Sequence, residues 1–335
     1  QISAKGTMTL SADMSQVLSL TLSPFILGRS DATLNFTQEF GDKGVLSLDA
    51  TGKALDVSGF ENDGNVDRKS PPLKKYKIEV DRLYMSDVGQ IDKVKGFAVR
   101  DASGWKEISL RGMADGDTPL SIDLTPKPDG TRTFKIASDN FGKAMKGLGF
   151  TDTIKRGKIT VVGQSTTDNP DIIKGTAKIS NFTVEKLPLL AVLLNATSPF
   201  GFSGILTDSA DFNRFEGEFL WQNGKISVTR AHAAGTSIGI NIDGKVDMDS
   251  NTANLQGTLV PFSTVNNVLN SIPLIGDLLT GGKDQGVLAV SYEINGPLNA
   301  PKVSVNPVSL LTPGFIRNLF FSGDDEGDEE PEEKQ

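Results

Sequence analysis

Apolar and polar residues alternate along most of this chain with a period of two. Tyr76, Ile78 and Val80 alternate with Lys77, Glu79 and Asp81, and Leu120, Ile122 and Leu124 with Ser121 and Asp123. The rhythm returns at Ile238, Ile240 and Ile242, spaced by Gly239 and Asn241, and at Leu288, Val290, Tyr292 and Ile294, spaced by Ala289, Ser291 and Glu293. Successive side chains of a strand point to opposite faces, so each run predicts a strand with one apolar and one polar face. Turn signals punctuate the runs: Asp63-Gly64, Pro128-Asp129-Gly130, Asn223-Gly224, Asp243-Gly244 and Asp249-Ser-Asn251. Strands joined by such turns pair antiparallel, which predicts a long meander.

Helical patterns are few. Asn140 to Leu148 predicts one short helix, ended by Gly147 and Gly149. Glu185 to Asn195 predicts a second, with Pro188 in its first turn, where the missing donor costs nothing. Phe262 to Asn270, Pro273 to Thr280 and Pro307 to Phe321 are shorter or broken, the last of them interrupted at Pro313-Gly314. Glu61 to Pro72 is polar and without periodicity, and is expected to be an exposed loop inside the sheet. Roughly 20 strands at about 4.8 Å each would make a sheet on the order of 100 Å long. Sheets of that size twist, curl or split. With the apolar face inside, a curled sheet is a trough, and alternation alone does not say whether side chains fill it.

The net charge of -8 is concentrated at one end. Asp324 to Gln335 holds eight acidic residues and one Lys, so the remainder is close to neutral and carries no basic field for nucleic acid. That tail, with no apolar residue to bury, is expected to be solvated and disordered. Without Cys there is no disulfide, thiol nucleophile or thiolate metal site, and a single His leaves little imidazole chemistry. The chain opens Gln1-Ile2-Ser3 without a leader pattern, so it reads as a fragment or processed form with any anchor upstream. Its longest strongly apolar run, Leu187 to Leu194, is far shorter than the ~20 residues of a spanning helix.

Motifs that bear chemistry do not hold. Gly235-Thr-Ser237-Ile-Gly239 matches a nucleophile elbow, yet strand residues follow where a helix is needed, and the only His, His232, precedes the serine. Asp247, Asp249 and Asn251 resemble the start of a calcium loop, but Thr252 and Thr258 replace the required Gly and Glu, which favours a hairpin turn. Gly276 to Lys283 is one residue too long for a phosphate loop, and Asp284 follows in place of Ser or Thr. No enzyme activity, metal or cofactor is expected. Phe315, Ile316, Leu319 and Phe320 would share one side of a short helix, forming an apolar cap on the sheet or a contact site.

Three segments, in order, carry a family resemblance: Ile272-Pro-Leu-Ile-Gly-Asp277 leading to Gly281-Gly282, the strand ending Gly296-Pro297-Leu298, and Val305-Asn-Pro307 running to Pro313-Gly-Phe315. Asp139-Asn-Phe-Gly142 and the following Leu148-Gly149 fit the same pattern. The chain resembles bacterial AsmA-like C-terminal regions, the family of AsmA, TamB and YhdP. That resemblance implies an elongated, twisted antiparallel β-sheet curled into an open hydrophobic groove with a few short capping helices. It also implies a periplasmic, inner-membrane-anchored protein that moves phospholipid between the inner and outer membranes without catalysis. The groove residues expected are Ile78, Val80, Leu120, Ile122, Leu124, Ile238, Ile240, Ile242, Leu288, Val290 and Ile294. The organisation expected is groove strands over 1–72 ending in the polar loop and central strands with the short helix over 73–165. The AsmA-like region follows over 166–322, then the acidic tail over 323–335. The alternative is a structural envelope protein with a filled core that binds another envelope protein.

Overall fold

The computed structural model describes residues 2–40, 44–59, 73–101, 104–185, 209–236, 238–261, 287–298 and 301–311. They form one open, twisted 17-stranded sheet that does not close into a barrel, with one short helix. The strands are β1 (Ile2–Leu10), β2 (Val17–Leu27), β3 (Ser30–Glu39), β4 (Val45–Asp56), β5 (Leu73–Tyr84) and β6 (Gln90–Asp101). They continue as β7 (Gly104–Ala114), β8 (Thr118–Pro126), β9 (Arg132–Ser138), β10 (Ile154–Gln164), β11 (Ile173–Glu185) and β12 (Ser209–Gln222). β13 (Lys225–Gly235), β14 (Ile238–Asp247), β15 (Thr252–Pro261), β16 (Val287–Pro297) and β17 (Lys302–Leu311) complete the sheet. Each strand pairs with its neighbours in sequence, from β1 against β2 to β16 against β17.

One pairing departs from the expected meander. β4 and β5 run parallel, with Val45 opposite Leu73 and Asp56 opposite Tyr84. A tight turn cannot return the chain to the start of a parallel neighbour. β4 is 12 residues long, roughly 40 Å at about 3.3 Å per residue, and the connection 57–72 has to recross that length. β4 and β5 are therefore not joined as a hairpin; Glu61 to Pro72, expected as an exposed loop inside the sheet, lies outside the described residues.

Strand direction then assigns every later connection to one of two rims. The strand ends that flank 102–103, 127–131, 165–172, 223–224, 248–251 and 298–301 fall on one, the turn rim. The strand ends that flank the longer intervals 139–153, 186–208 and 262–286 fall on the other, the long-loop rim. At the turn rim Asn223 (φ 49°) and Gly224 (φ 76°) make the two left-handed residues of a tight hairpin. Asp247 accepts from the amides of Asp249 (3.0 Å) and Ser250 (3.1 Å), so the Asp-rich stretch is a turn.

The helix α1 (Phe141–Gly147) sits on the long-loop rim. Asn140 caps it by accepting from the Lys143 amide at 3.1 Å, and Lys146 lies in the last turn, where a cation is favoured. Gly142 lets it press onto β10, since a Cβ there would stand 2.4 Å from the Ile154 carbonyl. α1 joins two buried clusters. Ala144 packs with Val80, Leu83, Ile91, Val94 and Leu120, while Phe141 packs with Ile179, Phe182, Phe212, Ile240 and Leu259, among others.

Candidate ligand groove

The strand registers place one apolar face across the whole sheet. Following Cα partners from strand to strand gives a single row: Met8, Leu20, Phe36, Leu48, Tyr76, Ala98, Ile108, Leu124, Phe134, Gly163, Gly175, Phe219, Val228, Gly244, Leu255, Ile294 and Val303. Every strand contributes one residue, and none is charged. On the opposite face the neighbouring row over β1 to β13 is Thr7, Thr21, Asn35, Asp49, Lys77, Phe97, Ser109, Asp123, Lys135, Val162, Thr176, Glu218 and Thr229. Ion pairs between neighbouring strands lie on that face, among them Lys95–Glu79 (3.0 Å), Arg111–Asp123 (2.8 Å) and Lys178–Glu216 (2.7 Å). Exposed pairs of this kind contribute about 0–1 kcal/mol each, so they mark the solvent side more than they hold the sheet.

The sheet curls towards the apolar face. Phe134 on β9 and Trp221 on β12 are three strands apart, about 14 Å in a flat sheet, yet their ring centroids are 5.1 Å apart. Phe219 makes the same approach, 6.5 Å from Phe134. Between them in the row stand Gly163 and Gly175. A Cβ on Gly175 would meet the Phe219 ring at 2.5 Å, so the ring lies over bare backbone and paves the groove there. Tyr292 does likewise over Gly257 and donates from its hydroxyl to the Asn241 carbonyl at 2.7 Å. Burial pushes its phenol up.

Most of the row is half-buried, and Met8 on β1 is 57% exposed. Residues nearer the long-loop rim are covered by α1 and the clusters beneath it. The expected groove residues divide along this line. Val80, Leu120, Ile238 and Ile240 are buried on the helix side, while Ile78, Ile122, Ile242 and Ile294 are half-buried, with Ile78, Ile242 and Ile294 packed against the edges of the two clusters. Leu124 belongs to the row but is fully buried next to Phe134. Leu288 and Val290 take their places on β16, Val290 opposite Leu259; their side chains lie outside the described residues.

No family model, curated protein or solved structure matches the chain.

Arginines fasten both rims. At the long-loop rim Arg29 donates to Asp56 (2.8 Å), Ser58 (3.2 Å) and the Ser86 carbonyl (3.2 Å), and stacks 4.3 Å from the Tyr84 ring. It thus bridges the parallel joint, and its hydrogen bond holds the Asp56 carboxyl at about 2. At the turn rim the buried Arg132 donates to the carbonyls of Trp105 (2.5 Å) and Pro170 (2.9 Å) and pairs with Asp171 (3.1 Å). Neither arginine stands out in the sequence, because the contacts join residues far apart in the chain.

His232 is half-buried on β13, opposite Glu216 and Asn241, and Ser237 lies outside the described residues. Among the described residues no group of three or more His, Asp or Glu is placed to hold a metal. No described helix is long and apolar enough to cross a membrane. The segments 186–195 and 262–280, the cap residues Phe315, Ile316, Leu319 and Phe320, and the acidic tail lie outside the described residues.

Proposed function

We propose that the curled sheet is a passive conduit for phospholipid, with acyl chains lying along the half-open residues of the row and head groups at the rims. The observation that carries this reading is the row itself, which offers an apolar surface from one end of the sheet to the other without a charge. Burying a methylene contributes about 0.8 kcal/mol, so a chain crossing several strands is held without specific polar contacts. The repeated surroundings keep the steps between positions small. The resemblance to AsmA-like regions supports a place in the periplasm, anchored in the inner membrane, carrying lipid towards the outer membrane. On this reading the role is non-enzymatic and serves outer-membrane assembly.

The buried helix-side flank favours a second reading locally, a structural envelope protein with a filled core. Photo-crosslinking residues at Ile108 and at Ser109, its neighbour on the opposite face, separate the two. Lipid captured in cells at 108 and not at 109 is the expected result. Equal capture at both would remove the facial argument, and capture at neither would favour the filled core.

A further inference from the structure

Beside the row, towards the turn rim, stands a feature that its apolar neighbours do not explain. The next groove-face residues on β5 and β6 are Lys74 and Arg100, which are direct Cα partners. Like charges opposite one another on one face of a sheet destabilise it. Among the described residues neither has a carboxylate within ion-pair distance, whereas their neighbours on this rim are neutralised. Lys106 pairs with Asp101 (3.5 Å) and Asp171 (3.4 Å), and Arg132 with Asp171.

Two aromatic residues stand where the cations meet the apolar row. The Tyr76 and Trp105 rings are 6.0 Å apart, and the Arg100 guanidinium lies 5.4 Å from the Trp105 centroid. Tyr and Trp favour boundaries with one apolar and one wet side. Lys74, Arg100, Tyr76 and Trp105 are all half-buried, so the group is reachable from solvent and from the groove. Apolar floor, aromatic border and paired cations follow one another in the order of chains, glycerol and phosphate in a phospholipid.

We propose that Lys74 and Arg100 receive the phosphate of a glycerophospholipid whose chains lie beside Tyr76, Ala98 and Ile108. This rests on the lipid-groove reading, which it deepens by giving the groove a preferred head-group chemistry.

The test uses the full chain with vesicles carrying either fluorescent phosphatidylglycerol or diacylglycerol bearing the same chains and label. The wild-type protein is expected to extract the phospholipid about ten-fold better, the worth of one charge-assisted hydrogen bond. The K74Q/R100Q variant is expected to extract both equally, with diacylglycerol extraction unchanged as proof of an intact groove. R100K, which keeps the charge, should retain most of the preference. Equal extraction by the wild type, or a preference that survives K74Q/R100Q, would overturn the head-group site while leaving the groove standing. Extraction of neither lipid would remove both readings. Millimolar inorganic phosphate that binds the lipid-free chain through the same residues and abolishes the preference would reassign the site to free phosphate and overturn the proposal.

Discussion

The groove face contains two apolar regions of the same composition and opposite circumstances. On the helix side, Val80, Leu120, Ile240 and Leu259 lie beneath α1 or in the clusters that it joins, at 8% exposure or less. Nearer the turn rim, Tyr76 and Leu255 on two of the same strands, and Ile108 on β7, remain half-open. Apolarity therefore reports the face and not the purpose. What separates a core from a conduit is whether another part of the protein reaches over it.

The largest test of that difference is a charge placed in each region. Leu259→Asp buries an unpaired carboxylate and is expected to cost about 4 kcal/mol or more, lowering abundance along with the melting temperature. Ile108→Asp, whose side chain can reach water, is expected to cost about 1–2 kcal/mol while abolishing lipid capture in the groove. Calorimetry beside vesicle extraction reads both, and equal destabilisation would erase the distinction between the regions.

Between these extremes lies the paved section, where the protein covers its own backbone. Phe219→Ala uncovers Gly163 and Gly175 and removes the ring contact with Phe134, an expected loss of about 2–3 kcal/mol given a half-buried ring. If the ring only occupied space that lipid could use, the variant would hold its stability and take up more lipid.

The smallest effect concerns pH at the parallel joint. The Asp56 carboxyl is held at about 2, below its ordinary 3.8, by the Arg29 hydrogen bond. A depressed carboxyl stabilises the fold fully above its unfolded value and loses that contribution as pH falls towards the folded one. Asp56→Asn is therefore expected to lower the melting temperature slightly at neutral pH and to flatten its decline between about pH 4 and 2. An unchanged slope would show that Arg29 finds equal support from Ser58 and the Ser86 carbonyl.

Much of the fold was legible because alternation is a local signal. Tyr76 to Asp81 announces its strand without knowledge of a partner, and Asn140 to Leu148 announces α1, which the structure starts at Phe141 with Asn140 as its cap. The sense of the β4–β5 pair was not legible, since alternation is the same in parallel and antiparallel strands and the connecting segment carries no periodicity. Ile240 and Ile242 both alternate correctly and both belong to the packing around Phe141; only depth distinguishes them, Ile240 being buried and Ile242 half-buried. Phe134, Phe219 and Trp221 were missed, although glycines at the apolar phase of β10 and β11 were a usable sign. A bare position on a buried face asks for a large neighbour. Lys74 and Arg100 were missed because their opposition exists only once β5 and β6 are in register.

The parallel joint also bears on how the sheet forms. Most junctions bring together residues close in sequence, so strands can add to a growing sheet with little loss of chain freedom. At β4–β5, Val45 must find Leu73 and Asp56 must find Tyr84 with no hairpin to hold them. Closing a longer loop costs entropy before any contact repays it. The same cost falls on β11–β12 and β15–β16, whose nearest paired residues, Glu185 with Ser209 and Leu259 with Val290, are comparably far apart in the chain, so β1 to β4, β5 to β11, β12 to β15 and β16 to β17 can assemble as separate blocks that meet late. Among the described strands the parallel joint is the one seam at which the chain resumes its own direction, and one of three at which assembly waits on a long closure.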